Sequence, residues 1–211
     1  MRTEELIRAL AADATRPAVP INRLLTLAVV AGVGLSAALF LATLHARADI
    51  AMAVLTPAFC FKLIVTLALA VTSCTLLSEV ARPLPRTRAN RALVLAPALL
   101  LAGVIFELFT VPANAWPVRL IGHNASHCLS LIPLLSLAPA ACLLFALRRG
   151  APAQPGLAGA IAGLVSGALG ASLYALTCPD DSTLFVATWY TTAIAVVTVA
   201  SAFIGRRILR W

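Results

Sequence analysis

Charge is scarce in this sequence. Only 11% of its 211 residues are Asp, Glu, Lys or Arg, against about 25% in an ordinary soluble domain. That scarcity excludes a soluble globular domain. Its five cysteines contain no C-x-x-C pair, which argues against a disulfide oxidoreductase. No quinone or haem motif stands out, and no internal repeat is visible. The one glycine-rich stretch lies inside an apolar run. These absences leave little for an enzyme to work with, and none is expected.

What the sequence has instead is long apolar runs, with 61% of residues hydrophobic. A bilayer span needs about 20 mostly apolar residues. Six segments fit: Leu24–Leu44, Ala58–Glu79, Ala92–Phe109, Cys128–Leu147, Gly156–Thr177 and Leu184–Ile204. Pro57 separates an interfacial piece, Ile50–Thr56, from the second span. Pro97 is a candidate kink in the third, and Pro133 and Pro139 lie inside the fourth. Ala46-Arg47-Ala48 imitates a signal-peptidase site. The run before it exceeds the roughly 7–15 residues of a signal core, so a retained first span is expected. The fold class is therefore all-α: a polytopic membrane protein of six transmembrane helices. It divides into a polar segment, residues 1–23, and a membrane domain, residues 24–211.

A formal charge of +8 raises nucleic acid as a partner. The arginines argue otherwise, because they sit in short clusters between apolar runs. Arg2, Arg8, Arg16 and Arg23 precede span one. Arg82, Arg86, Arg88 and Arg91 follow span two, Arg148 and Arg149 follow span four, and Arg206, Arg207 and Arg210 follow span six. The opposite side carries only Arg47 and Arg119. By the positive-inside rule both termini are expected in the cytoplasm, with the lipid bilayer as a partner and no direct nucleic-acid contact. Cys128 and Cys178 then fall together on the other face.

The polar start reads as a short helix over Thr3–Asp13. Thr3 caps it, and Glu4 and Glu5 suit the positive end of its dipole. Leu6, Ile7 and Leu10 share one face, and Pro17 and Pro20 end it. Such a helix is marginal alone. Its apolar face either meets a partner or lies on lipid or its own bundle.

Lys62 and Glu107 are the charges most clearly inside spans, at similar depth. Intramembrane charges mark functional sites by default. They either pair across the bundle, as a small transporter or efflux component would need, or snorkel to the nearby interface. Gly159, Gly163 and Gly167 put a small-residue stripe on one face of span five, a seam for a closely packed helix. Cys74 and Cys142 lie inside spans as packing residues, and Cys60 reads the same way. Cys128 and Cys178 sit at helix ends beside polar groups. His123 and His127, four apart, share a face if their segment is helical. Thiolate and imidazole suit soft metals, with Asp180 and Asp181 as further candidate ligands. The plainer alternatives are interfacial histidines, and Asp180, Asp181 or Ser182 capping span six.

The second half carries a family resemblance. Gly122-His-Asn, Cys128-Leu-Ser-Leu-Ile-Pro133, Leu147-Arg-Arg-Gly-Ala-Pro152, Tyr174-Ala-Leu-Thr-Cys178 and Leu184-Phe-Val-Ala-Thr-Trp-Tyr190 resemble the NrsF family. The opening Arg2-Thr-Glu-Glu-Leu-Ile is also similar. The family is one of bacterial inner-membrane proteins named as negative regulators of an extracytoplasmic-function sigma factor. The resemblance implies an anti-sigma factor that holds its sigma factor at the cytoplasmic face, with Leu6, Ile7 and Leu10 as contact candidates. It also implies release when two periplasmic-side cysteines, here Cys128 and Cys178, sense heavy metal or oxidant. No resident cofactor is expected, only transient heavy-metal binding at those thiols. Pro179, Thr183, Ala125 and Ser126 depart from the family's pattern and bear on the shape of the site.

Overall fold

The computed structural model describes residues 3–5, 20–81, 89–150 and 152–209. Residues 3–5 are helical; Leu6, Ile7 and Leu10 lie outside the described residues. The described residues are helical with no strand. They include six helices long and apolar enough to cross a membrane. They are α1 Ile21–Thr43, α2 Pro57–Val80, α3 Leu95–Thr110, α4 Ala125–Leu147, α5 Pro155–Ala175 and α6 Thr183–Ile208. Short helices Ile50–Ala53 and Trp116–Ile121 lie before α2 and before α4.

Local chemistry sets the boundaries. Pro20, with extended backbone at the N-cap position, starts α1 ahead of the expected Leu24. Pro57 occupies the first turn of α2, where its missing N–H is not needed. Thr56 accepts from the Phe59 amide there. Pro97 falls in the first turn of α3 rather than at a kink in mid-span.

In α5, thirteen of 21 residues are buried, most of them Gly, Ala or Ser. It packs on α2, α4 and α6. The glycine stripe faces α6 of the same chain: a Cβ on Gly163 would stand 2.8 Å from the Thr198 Cα, and one on Gly159 would stand 2.9 Å from the Gly205 Cα. Gly170 turns to α4. Small residues here let backbones touch, and dispersion accumulates along the seam.

The contact of α1 with α4 depends on a proline. Pro139 has no N–H, so it leaves the Leu135 carbonyl without its helical donor. The Ser36 hydroxyl of α1 donates to that oxygen at 2.6 Å, and Ser36 is buried. Beside it, Gly32 meets Pro139 so closely that a Cβ would stand 2.5 Å from the Pro139 Cα. The freed backbone group is thus satisfied by a neighbouring helix, as a water-free interior requires.

The start of α1, the ends of α2, α4 and α6, and the start of α3 lie at the end of the bundle that carries Arg23, Arg148, Arg149, Arg206 and Arg207. Cys128, near the start of α4, and Cys178, after the end of α5, lie at the other end.

Candidate functional site

Between α5 and α6 the chain runs through Cys178–Ser182 without regular structure. This strap closes the thiol end of the bundle. Cys128, in the first turn of α4, and Cys178 are 0% and 1% exposed, and both are free thiols. They share one buried cluster with Phe40, Ile132, Tyr174, Phe185 and Tyr190. The Tyr174 and Tyr190 rings stand 5.8 Å apart, and both hydroxyls lie beside the Cys178 sulfur. Among the described residues, the Tyr190 hydroxyl is the one buried side-chain polar atom with no hydrogen bond of standard geometry. A π-helical stretch, Val186–Tyr190, interrupts α6 here, and Phe185, Val186 and Tyr190 are buried around it. Burial pushes the Cys178 thiol above its ordinary range, against the opposing pull of the Lys62 charge.

Three carboxylates fasten the strap. Asp181 accepts from the buried Lys62 ammonium at 2.5 Å and from the Arg47 guanidinium at 2.8 Å. Lys62 also donates to the Cys178 carbonyl at 2.9 Å and the Asp180 carbonyl at 3.3 Å. Arg47 is held in turn by Asp49 at 2.7 Å. That bond, then Asp181, raises the Arg47 pKa, while the same guanidinium holds Asp49 below the usual carboxylate range.

Asp180 is the second fastener. One of its oxygens accepts from the His123 and Asn124 amides at 3.1 and 3.0 Å and from the Asn124 side chain at 3.0 Å. It thereby satisfies donors just ahead of α4. Gly122 makes this turn possible with φ +60°, and a Cβ there would meet the Phe185 ring at 2.5 Å. A side chain would be strained by both backbone and space.

Glu107 is the third. Its carboxylate accepts from the Ser182 hydroxyl at 2.7 Å, the Thr183 amide at 2.6 Å, the Leu184 amide at 3.2 Å, the Thr183 hydroxyl, and Arg119 at 2.9 Å. A charge from α3 thus caps α6, meeting its unpaired N–H groups and the positive end of its dipole. Beside the strap an open cleft of about 920 Å³ is lined by Phe61, Phe106, Val118, Pro179, Asp180 and Asp181.

Several expectations change. Lys62 and Glu107 do not pair with each other: Lys62 finds Asp181, and Glu107 finds Arg119 and the start of α6. Neither snorkels, because each is buried with its own partners, and the transporter reading loses its residue pair. Ser182 holds the N-cap position of α6 but makes no capping bond with its side chain; Glu107 does that work. His123 precedes α4 and is 86% exposed, so it shares no helix face with His127. Its ring stands 3.7 Å from Asp180. No group of three or more His, Cys, Asp or Glu able to hold a metal ion occurs among the described residues.

The tyrosines, Arg47, Arg119, Asn124 and Gly122 were not apparent as site residues from the sequence. Arg47 and Arg119 did carry a signal. Each is an arginine on the arginine-poor side, and each takes a carboxylate partner.

No solved structure matches this chain. It is 38% identical over 219 residues to the anti-sigma-F factor NrsF of Caulobacter vibrioides, covering all of both chains. It is 32% identical over 213 residues to the probable anti-sigma-F factor NrsF of Azospira oryzae, again across both whole chains. The family model described as negative regulator of sigma F matches residues 10–211. With similarity running from end to end and through the strap, the chain belongs to the NrsF family, the negative regulators of sigma F.

Proposed function

We propose that this protein is a membrane-bound anti-sigma factor. It holds an extracytoplasmic-function sigma factor at the cytoplasmic face and releases it when Cys128 and Cys178, on the periplasmic side, meet heavy metal or oxidant. The observation that carries this reading is the shared burial of the two thiols at the end of the bundle opposite the arginine clusters, in a chain whose full-length relative is an anti-sigma-F factor. The arginine distribution supports cytoplasmic termini. The apolar face Leu6, Ile7 and Leu10, with the arginine loops, is the proposed sigma contact.

The thiol pair suits two chemistries. A soft ion bridging both sulfurs displaces two protons. Oxidation to a disulfide passes two electrons to the oxidant and releases two protons. Either event ties the start of α4 to the strap between α5 and α6. The altered site drives release only by favouring the released arrangement with its own differential free energy. Tyr174 and Tyr190 bring two further hydroxyls to the same small volume.

The test is to solubilise the tagged protein from native membranes and identify what co-purifies. A sigma factor that accompanies the full chain and is absent from a version lacking residues 1–16 is the expected result. No sigma factor under gentle, unstressed conditions would overturn the reading. A Cys128→Ser, Cys178→Ser protein should keep its partner after cadmium or dichromate treatment. Release from that protein would sink the thiol mechanism alone.

A further inference from the structure

Both thiols are sealed inside the protein, so a reagent reaches them only if something opens. The strap carries Cys178 itself, whose thiol donates to the Asp180 carbonyl at 3.9 Å, and one side chain holds it at three points. Lys62 is 1% exposed. Its ammonium has three protons and three acceptors: the Cys178 carbonyl at 2.9 Å, the Asp180 carbonyl at 3.3 Å and the Asp181 carboxylate at 2.5 Å. The two carbonyls flank Pro179, which has no N–H of its own to donate. The strap forms no regular structure, and within it only the weak Cys178 thiol donor reaches the Asp180 carbonyl, so the charge from α2 supplies what a helix would otherwise provide. One of the acceptors belongs to Cys178 itself, so the holding point and a thiol are the same residue.

The surroundings reinforce that grip. Lys62 Nζ and Arg47 Cζ lie 5.5 and 5.9 Å from the centre of the Phe59 ring, an arrangement favourable to cations. Arg47 reaches Asp181 from the other side, its backbone amide bonds to the Leu176 carbonyl at 3.1 Å, and Thr177 donates to the His45 carbonyl at 3.0 Å. Pro179, Asp180 and Asp181 of the strap also line the 920 Å³ cleft, which leaves open space beside it.

We propose that Lys62 is the latch of the thiol site, a positioning residue that holds the 178–181 strap closed and so sets how readily Cys128 and Cys178 react. This rests on the proposed reading only in taking those two thiols as the responsive groups. The latch itself is independent of any sigma factor.

The experiment is site-resolved labelling of the full chain with N-ethylmaleimide, read by mass spectrometry. It uses membranes from a host that lacks the sigma partner. When opening and closing are fast, labelling follows the open population. A hydrogen bond to a charged group shifts such an equilibrium by about tenfold or more. Lys62→Met should therefore speed labelling of Cys128 and Cys178 about tenfold or more, and Lys62→Arg should restore most of the protection. Cys74 and Cys142, away from the strap, should label as in the parent. Unchanged labelling of Cys128 and Cys178, or an equal rise at all four cysteines, would overturn the proposal, the second outcome meaning general loosening. If Lys62→Met fails to accumulate, Asp181→Asn replaces it. That variant keeps the shape and removes the counter-charge, and unchanged labelling in it is equally fatal. A latched chain that retains no sigma factor would refute the anti-sigma reading and leave the latch standing.

Discussion

Helices α5 and α3 are held in the same bundle by opposite means. Along α5, buried Gly, Ala and Ser line almost every turn, and its glycines touch the α6 backbone. In α3 only Ala96 and Glu107 are buried, while Leu101, Ile105, Phe106 and Phe109 are exposed. Its strongest tie to α6 is the Glu107 carboxylate. Among lipid tails, apolar side chains gain nothing by choosing a helix over a lipid, so association needs close packing or a polar bond. The first solution spreads the attraction over several turns. Between α3 and α6 the second concentrates it in one residue, so that this contact, unlike the packing of Gly103 against Phe61 of α2, hangs on a single change.

The largest expected effect follows from that concentration. Glu107→Ala leaves the donors of Ser182, Thr183 and Leu184 without their acceptor and frees Arg119. Removing one partner of a buried charged network costs about 3–5 kcal/mol. Hydrogen exchange should rise in residues 95–110 and 183–185 while α5 stays protected. Equal loosening of α5 would show that the two attachments are not separate.

Gly163→Leu attacks the other solution by pushing a side chain into the Ser201 Cβ and the Val197–Thr198 backbone of α6. Overpacking of this kind costs about 1–3 kcal/mol. It should lower the thermal midpoint of the solubilised protein without selectively freeing α3.

Ser36→Ala sharpens the comparison with an intermediate case, a single hydrogen bond at a packed crossing. It strands the Leu135 carbonyl that Pro139 leaves open. Interhelical bonds of this type average about 0.6 kcal/mol, so a drop of a degree or two in the same melting curve is expected. A loss as large as that of Glu107→Ala would mean that α1 is anchored as α3 is.

The smallest effect is reserved for His123→Ala. That ring is 86% exposed, so stability should stay within about 0.5 kcal/mol of the parent. Cadmium binding, read by titration calorimetry, should persist in His123→Ala and vanish in Cys128→Ser, Cys178→Ser. Loss of cadmium binding in His123→Ala would restore the imidazole as a ligand.

Much of the architecture was legible because membrane helices announce themselves locally. Apolar length and proline position locate the six helices to within a few residues, although α1 starts earlier than its apolar run and α4 takes in three more residues before Cys128. The small-residue stripe on α5 was equally plain, but not that its partner was α6. The two thiols stood out by residue type. Their joint burial did not, because position at a helix end says nothing about what folds over it. The Lys62–Glu107 pairing failed for a related reason. Similar depth makes two charges eligible partners, but azimuth and loop path choose between them, and the strap delivers Asp181 to one and the α6 amides to the other.

Six apolar helices, the arginine clusters between them and two cysteines at the edges of apolar runs can all be read along the chain. Each follows from short-range properties: side-chain transfer energy, backbone propensity and charge along the chain. Which helix lies at the centre, which carboxylate meets which cation, and that Cys178 sits in a strap held by Lys62 emerge only from the packed fold. Those outcomes depend on contacts between residues as far apart as 62 and 181. A buried charge takes whatever acceptor the finished packing brings within reach, and no local pattern encodes that choice.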